Sequence, residues 1–359
     1  MPKRREVAPA AAPLREPLHP FVGQQHVLEY FRRLGPQALA HAYLFSGDRG
    51  VGKRTFATML AMTLHCERPT GFPVGYCGTC GACRRGLAGS CGDTILVDLD
   101  FIRETARVER KTDALHIDAS RRIIELMQLQ SYEGGRLVCI IPDFDNVTPG
   151  DYAYNALLKE LEEPSAGKLF LLTAHRPDRV LPTIRSRACG IRFGPLSEDE
   201  IAGQLERYYG QPAQRARLLA RRAQGSLGEA IREFDESVME LREATRTWCL
   251  QTLQSPKRTS ALPRLSRDNA REEAVEVLRD ARLVIRDLLM LSLGQEEHVL
   301  DRESLTQYKA ASATLEEEGG PTKLVAALSS VNEAARIADE TNIPPATVLG
   351  WLQVQLKSA

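Results

Sequence analysis

The sequence predicts a three-layer α/β domain with a parallel sheet, followed by an all-helical C-terminal part. Apolar runs of strand length occur at Tyr43–Phe45, Leu137–Ile141 and Leu169–Thr173, with helical patterns between them. Strands that alternate with helices indicate a parallel sheet. After about residue 193 only helical periodicity remains, for example over residues 273–292.

The composition is that of an ordinary globular protein. At 359 residues the chain is long enough for two or three domains. Lys plus Arg and Asp plus Glu both number 47, so the net charge does not indicate a protein that coats nucleic acid. No run of 18 apolar residues occurs, and the N-terminus lacks the apolar region of a signal peptide. We therefore expect a cytoplasmic protein with no membrane partner and with residues 1–18 as a disordered tail.

A glycine-rich loop follows the first predicted strand. Its candidate phosphate-binding residues are Gly47, Gly50, Gly52, Lys53 and Thr55. Such glycines let backbone N–H groups form an anion nest, and the lysine reaches the terminal phosphates. A working loop needs Ser or Thr directly after the lysine to bind Mg²⁺, but this chain has Arg54 there. The loop is predicted to derive from a nucleotide-binding fold and to lack one Mg²⁺ ligand; a glycine-rich turn with a chance lysine is the alternative.

The other elements of the α/β part follow in chain order. We expect a helix over Val27–Leu34 and a second one that ends near His65. Thr94–Leu99 is predicted to be a strand, and the charged residues 100–116 a loop. The next helix is expected to be capped by Asp118 or Ser120. Its apolar face would carry Ile123, Ile124, Met127 and Leu129.

The predicted helical regions also define domain boundaries. Tyr152–Glu163 is expected to be a helix that ends at Pro164, because proline lacks an N–H group. Ser197 and Glu200 form the pattern of a capping box at the start of another helix. We expect an α/β domain over 19–195, a small helical domain over 196–235 and a larger helical domain over 236–359.

Four cysteines are clustered immediately after the phosphate-loop helix. They are Cys66, Cys77, Cys80 and Cys83, within the segment 66–83. Small glycines between them allow the backbone to wrap tightly around an ion, and four thiolates fit a closed, structural Zn²⁺ site. An iron–sulfur cluster is the alternative, and disulfides are disfavoured in the cytoplasm. We predict a structural zinc knuckle without a catalytic role.

These motifs together resemble the bacterial clamp-loader subunits of the AAA+ class. The resemblance rests on the loop GVGKRT, the four-cysteine insert, the string NALLKELEEP from Asn155 to Pro164, and Ser186-Arg187. It covers residues 19–235 and implies a P-loop-type parallel sheet followed by a helical lid domain. For residues 236–359 it implies a collar domain, by helical character alone.

Two kinds of subunit in that family share this layout: the ATP-hydrolysing motor (gamma/tau) and delta-prime, which in many members does not hydrolyse ATP. Where the motor has Asp-Glu after the third strand, this chain has Pro142-Asp143; shifting the register by one puts Phe144 in place of the glutamate. Those acids would bind Mg²⁺ and polarise the attacking water. Gly228 stands where the motor has an arginine that contacts the γ-phosphate. Together with Arg54 and the lack of a long tau-like extension, these differences favour the delta-prime kind of subunit. They also predict that ATP and Mg²⁺ bind weakly or not at all.

The resemblance also implies a role for Arg187. Family members use the arginine of this motif in trans, as a finger that reaches the ATP of the neighbouring subunit. A guanidinium there stabilises the charge that develops on the phosphoryl oxygens. Arg185 lies two residues earlier and is the alternative, as is a surface arginine without function.

We therefore expect a delta-prime-like subunit of the DNA polymerase III clamp loader. Its expected partners are the gamma/tau motor subunits, the delta subunit and, through the complex, the sliding clamp and primed DNA. It would belong to a DNA-directed DNA polymerase holoenzyme without its own ATPase activity. The alternatives are an active gamma/tau-like ATPase and a zinc-knuckle DNA-binding module, the latter disfavoured by balanced charge and only two Trp residues.

Overall fold

A five-stranded parallel sheet forms the centre of the first part of the chain. The computed structural model describes residues 20–89, 91–105, 115–131, 135–146, 152–162, 166–254, 260–266, 270–316, 320–341 and 343–358. The strands are β1 Ala42–Ser46, β2 Thr94–Leu96, β3 Leu137–Ile141, β4 Lys168–Ala174 and β5 Cys189–Arg192. Their order is β2-β3-β4-β1-β5, and every neighbouring pair is parallel. The predicted parallel α/β sheet is confirmed.

The sheet is covered on both faces, which gives three layers. The helices of this part are α1 Gln25–Leu34, α2 Lys53–His65, α3 Gly81–Leu87, α4 Leu99–Thr105, α5 Ile117–Met127, α6 Tyr152–Glu162, α7 Pro182–Arg185 and α8 Glu198–Tyr209. Side chains alternate along a strand, so Tyr43 and Phe45 of β1 pack with α1 and α2 on one face. Leu44 points to the other face and packs with α5 and α6. Burial on both faces explains why these strands appear in the sequence as continuous apolar runs.

The region after β2 differs from the prediction. The strand ends at Leu96 rather than Leu99, and the expected loop 100–116 contains most of α4. The Asp98 carboxylate accepts a hydrogen bond from the Phe101 N–H at 3.0 Å and so starts this helix directly after the strand.

The start of α5 also differs from the prediction. His116, not Asp118 or Ser120, is the N-cap, because its Nδ1 accepts a hydrogen bond from the Ala119 N–H at 3.2 Å. Ser120 is fully buried inside the helix. Leu129 lies beyond the last residue of α5 and is exposed, so it is not part of the apolar face.

The chain divides into two compact units. The first ends at Ala213 and also includes Gln224–Glu229, whereas the second comprises Gln214–Ala223 and the chain from Ala230 onward. The later helices are α9 Ala213–Arg222, α10 Leu227–Arg232, α11 Glu236–Gln254, α12 Ala270–Ser292, α13 Leu305–Glu316, α14 Gly320–Glu340 and α15 Pro345–Ser358. In the second unit, α11 to α15 surround one apolar core that contains Trp248 and Tyr308.

Several further predictions can be compared with these elements. The capping box of Ser197 and Glu200 is present at the start of α8, with both reciprocal hydrogen bonds formed. The predicted tail over 1–18 and the Glu163-Pro164 end of the NALLKELEEP motif lie outside the described residues. Within the described part of the chain, no helix has the length and apolar character needed to cross a membrane.

Candidate functional site

The glycine-rich loop connects β1 to α2. Helix α2 begins at Lys53, and Gly52 precedes it in the left-handed conformation. Lys53 is only 7% exposed, and its Nζ donates hydrogen bonds of 2.6 Å to the main-chain oxygens of Gly47 and Asp48. Burial lowers the pKa of the Lys53 amine, although nearby aspartates act in the opposite direction. The ammonium group that would meet a phosphate is therefore held by the loop itself.

The position that follows this lysine carries no hydroxyl. Arg54 lies in the first turn of α2 with an exposed side chain, and Thr55 is half-buried. Successive residues of an α-helix are rotated by about 100° around its axis. The Thr55 hydroxyl is therefore directed away from the position where a loop of this type places its Mg²⁺ ligand.

The turn after β3 places an apolar residue, Phe144, at the position that replaces the glutamate of the motor when the register is shifted by one. Asp143 has a φ of 45°, and its N–H donates to the Thr173 hydroxyl at 3.0 Å. Phe144 is 1% exposed, and its ring centre lies 4.9 Å from that of Tyr154. The Tyr154 hydroxyl donates to the Phe144 carbonyl at 2.5 Å. Phe144 thus belongs to the core and offers no group that could polarise a water molecule.

Asp145 and His175 lie beside the loop, although the sequence analysis did not select them. The Asp145 carboxylate accepts the N–H groups of His175 at 3.0 Å and Arg176 at 2.6 Å, which ties the turn after β3 to the end of β4. The buried Nδ1 of His175 has no hydrogen-bond partner among the described residues. Burial, followed by the charge of Arg49, lowers the pKa of His175. Both residues follow strands at the carboxyl edge of the sheet, and that signal could have identified them.

The segment Gly225–Gly228 reaches the same loop. The Gly228 N–H donates to the Gly50 carbonyl at 3.0 Å. Where the family resemblance implies an arginine side chain for the γ-phosphate, the structure therefore places a backbone-to-backbone contact.

The four clustered cysteines form a group that could hold a metal ion. The sulfurs of Cys66, Cys77, Cys80 and Cys83 all lie within 4.8 Å of one another. Four sulfurs at about 2.3 Å from one Zn²⁺ ion would be roughly 3.8 Å apart, so the set fits a tetrahedral site. No disulfide joins any of the eight cysteines, each of which is among the described residues.

Backbone N–H groups in this cluster point at the sulfurs. Cys77 N–H donates to Cys66 Sγ at 3.3 Å, and Cys80 N–H donates to Cys77 Sγ at 3.4 Å. The Cys83 N–H donates to Cys80 Sγ, also at 3.4 Å. Hydrogen bonds of this kind stabilise the thiolate, and those from Thr79 and then Cys80 lower the pKa of Cys77 to about 6. The thiolate is the form that binds metal.

Arg187 lies between α7 and β5 and is held within its own unit. Its guanidinium is 2.7 Å from the Glu162 carboxylate at the end of α6 and donates to the Thr183 carbonyl at 2.7 Å. Its side chain is 34% exposed. The Arg185 side chain is exposed and has no hydrogen bond or ion pair with any described residue. The two candidate finger arginines therefore differ in how firmly they are positioned.

Comparison with known proteins adds an independent line of evidence. Residues 23–197 match the family model described as "DNA polymerase III, delta subunit". The DNA polymerase III subunit tau of Escherichia coli is 33% identical over 223 residues, which are 60% of this chain and 32% of that protein. The subunit delta' of Pseudomonas aeruginosa is 34% identical over 207 residues, which are 56% of this chain and 58% of that protein. The chain thus spans about a third of the first relative and somewhat more than half of the second.

A solved structure also resembles this chain. It is a DNA polymerase III gamma-subunit-related protein from Thermotoga maritima, 16% identical, with a TM-score of 0.38 and coverage of 92% of this chain and 98% of that one. The comparison rests on the sequence matches, which include both tau and delta' relatives. Residues 23–197, just under half of this chain, are thus similar to DNA polymerase III subunits of both the tau and the delta' kind.

Proposed function

We propose that this chain is a delta-prime-like subunit of the clamp loader, with an AAA+ fold that no longer hydrolyses ATP. It would act as a scaffold in an assembly that opens the sliding clamp and places it on primed DNA. The two helical parts over 196–235 and 236–359 would serve as lid and collar. Its proposed partners are the gamma/tau motor subunits and the delta subunit, and its proposed location is the cytoplasm, where bacterial DNA is replicated.

One observation carries the proposal: around a single loop, the side-chain groups for three separate tasks in ATP hydrolysis are missing. Arg54 leaves no hydroxyl for Mg²⁺, and after β3 either Pro142 replaces the Mg²⁺-binding acid or, with the register shifted by one, the core residue Phe144 replaces the water-polarising acid. Gly228 offers only its backbone at the position of the γ-phosphate-binding arginine. Phosphoryl transfer depends on positioning and on compensating charge, so the combined losses would abolish turnover.

We further propose that Arg187 acts on the ATP of a neighbouring subunit. A planar guanidinium suits the oxygens of a transferring phosphoryl group. The contacts with Glu162 and Thr183 support the choice of Arg187 over Arg185, because they hold the guanidinium in a defined position before assembly. An exposed ion pair of this kind contributes roughly 0–1 kcal/mol and can therefore be exchanged for stronger phosphate contacts.

We also propose that the cysteine cluster binds a structural Zn²⁺ ion. The four sulfurs would occupy all four positions of a tetrahedral ion and leave none for water or substrate. The bound ion would fix the fold of the cysteine insert, since thiolate ligands bring distant parts of a short segment together.

The experiment that tests this function compares the purified full chain with the chain in a reconstituted complex. We expect no Mg²⁺-dependent ATP turnover by the chain alone and clamp loading only when motor subunits are present. Steady turnover that disappears in Lys53→Ala would instead support the competing proposal of an active motor. That competitor is favoured by the retained loop lysine and by the tau relatives.

A further inference from the structure

The phosphate loop and the segment Gly225–Gly228 touch through their backbones at two glycines. A Cβ atom on Gly228 would lie 2.8 Å from the Cα and 3.3 Å from the carbonyl oxygen of Gly50. A Cβ atom on Gly50 would lie 2.2 Å from the Ser226 hydroxyl and 3.1 Å from the Gly228 Cα. We call this close approach of Gly50 and Gly228, together with the hydrogen bond from the Gly228 N–H to the Gly50 carbonyl, the glycine clasp. Neither residue could carry a side chain without moving the other.

The segment that forms the clasp is fixed by its own neighbours. The Gly225 carbonyl accepts a hydrogen bond from the Leu196 N–H at 2.9 Å, and a Cβ atom on Gly225 would lie 2.4 Å from the Cβ of Pro195. Ser226 is 6% exposed, and its hydroxyl accepts the Glu229 N–H at 3.1 Å at the start of α10. The contacts of Gly225 and Ser226 thus hold the segment that carries Gly228 in place.

The loop side of the clasp is also committed to internal hydrogen bonds. Lys53 donates to the carbonyls of Gly47 and Asp48, so two of the three N–H donors of its ammonium group are already used within the loop. The Gly50 carbonyl is held by Gly228, so the central peptide of the loop is not free to rotate. An anion nest requires the loop N–H groups to turn toward the ligand.

We propose that the glycine clasp is an autoinhibitory contact that keeps the phosphate loop closed to polyphosphate ligands. Opening it would let the loop rearrange and release Lys53, and His175 would then supply a further polar group beside the ligand. The proposal rests on the interpretation of this loop as a former nucleotide site. In this proposal Gly228 keeps polyphosphate ligands from binding, whereas the missing side-chain groups account for the absence of hydrolysis.

The test measures binding of ADP and of inorganic pyrophosphate to the full chain by calorimetry. Gly228→Ala adds one methyl group that collides with Gly50, and alanine is well tolerated in the first turn of a helix. We expect at least a tenfold gain in affinity for both ligands, lost again when Lys53→Ala is combined with Gly228→Ala. A gain for ADP alone would also support the proposal and would show that the base contributes. No gain for either ligand would overturn it.

The matched control is Gly203→Ala, since a Cβ atom at Gly203 in α8 meets no atom within 4 Å. This control should bind as the wild type does. A second measurement needs no variant: hydrogen exchange of the Gly228 amide in the wild-type chain with millimolar pyrophosphate. The amide should lose protection as ligand binds, whereas bound ligand with unchanged protection would refute the clasp.

The outcomes separate this inference from the proposed function. Gly228→Ala that binds ADP without hydrolysing ATP would support both, because Arg54 and Phe144 remain. ATP turnover by Gly228→Ala would contradict the non-hydrolysing function while leaving the clasp intact. Failure of Gly228→Ala to gain affinity would remove only the clasp, since clamp loading by the reconstituted complex is measured independently.

Discussion

In the proposed function, Arg54 and, in the shifted register, Phe144 stand where a working hydrolytic site needs polar groups, and the environments of the two side chains differ. Arg54 is exposed, so its environment would accept many side chains. Phe144 is buried against Tyr154 and fills core volume. Restoring the first position is therefore compatible with the fold, whereas restoring the second is not.

Substitutions at these two residues should differ in stability. We expect Phe144→Glu to lower the free energy of unfolding of the first unit by about 3–5 kcal/mol, because it removes a buried ring and buries a carboxyl group. Arg54→Thr, the exposed control, should stay within about 0.5 kcal/mol of the wild type. Urea unfolding measures both. A stable Phe144→Glu variant with ATPase activity would show that the turn after β3 can rearrange into a working site.

Substitution of Asp301 should lower the free energy of unfolding of the second unit by a comparable amount. Its carboxylate accepts hydrogen bonds from Arg246 and Ser304, and from Tyr308 at 3.2 Å. Burial alone would raise the pKa of Asp301, but the charge of Arg222 and these partners outweigh it, so the pKa is lowered. Asp301→Asn should cost about 3 kcal/mol at pH 7, because it removes one charged partner from two largely buried arginines, Arg222 and Arg246.

The lowered pKa also gives the sign of the pH dependence. A carboxyl whose folded pKa is below its unfolded value stabilises the fold above the unfolded pKa, and this contribution is lost as the pH falls through the folded value. The difference in unfolding free energy between wild type and Asp301→Asn should therefore shrink on acidification below about pH 4. Glu333→Gln, at an exposed ion pair with Arg336, is the control and should have little effect. A pH-independent difference would exclude this electrostatic account.

At the scale of elements, the strands that are buried on both faces were predictable and the others were not. β3 agrees residue for residue with its apolar run Leu137–Ile141. β5 was missed because it is an edge strand with Gly190 and Arg192 exposed, so it lacks an apolar run. α4 was missed because Ile102 is its one buried residue among those described. Its start depends on the side chain of Asp98, a local helix cap that hydrophobic periodicity does not detect.

The candidate sites were predictable to a similar degree. The loop and the cysteine group have fixed spacings, and the structure brings the members of each group together. Asp145 and His175 belong to no motif and meet because β3 and β4 are neighbours in the sheet. The glycine clasp joins residues 178 positions apart, and only the fold reveals it.

The cysteine insert is the element whose stability should depend on metal. Cys80→Ser removes one sulfur ligand, although its hydroxyl can still accept the Cys83 N–H at the start of α3, so we expect loss of about one metal equivalent and lower stability of the first unit. The second unit should stay folded, since it has a separate core. Metal analysis and thermal unfolding followed at both units measure this. The control is Cys249→Ser, at a buried cysteine of the second unit, which should retain the metal. Iron in place of zinc, or a folded wild-type chain without metal, would refute the assignment of a zinc site.

At the scale of the whole molecule, the residues that support the fold are distinct from the residue that we propose to act on another subunit. The proposed function places no turnover at the loop of this chain, and it assigns the contribution to catalysis to Arg187. Because Arg187 is partly exposed, Arg187→Ala should leave folding unchanged. Arg187→Lys should not restore function, because a point charge does not reproduce the planar guanidinium.

The most direct test of this account is clamp-stimulated ATP hydrolysis by a reconstituted clamp loader that carries Arg187→Ala in this subunit, with Arg185→Ala as the matched control. We predict a loss of hydrolysis at the single site that faces this subunit, where a finger arginine contributes about 10³–10⁵ to the rate. The total rate of ATP hydrolysis should fall by the fraction that this site contributes, and the complex with Arg185→Ala should hydrolyse ATP at the wild-type rate. Unchanged hydrolysis with Arg187→Ala would contradict the account.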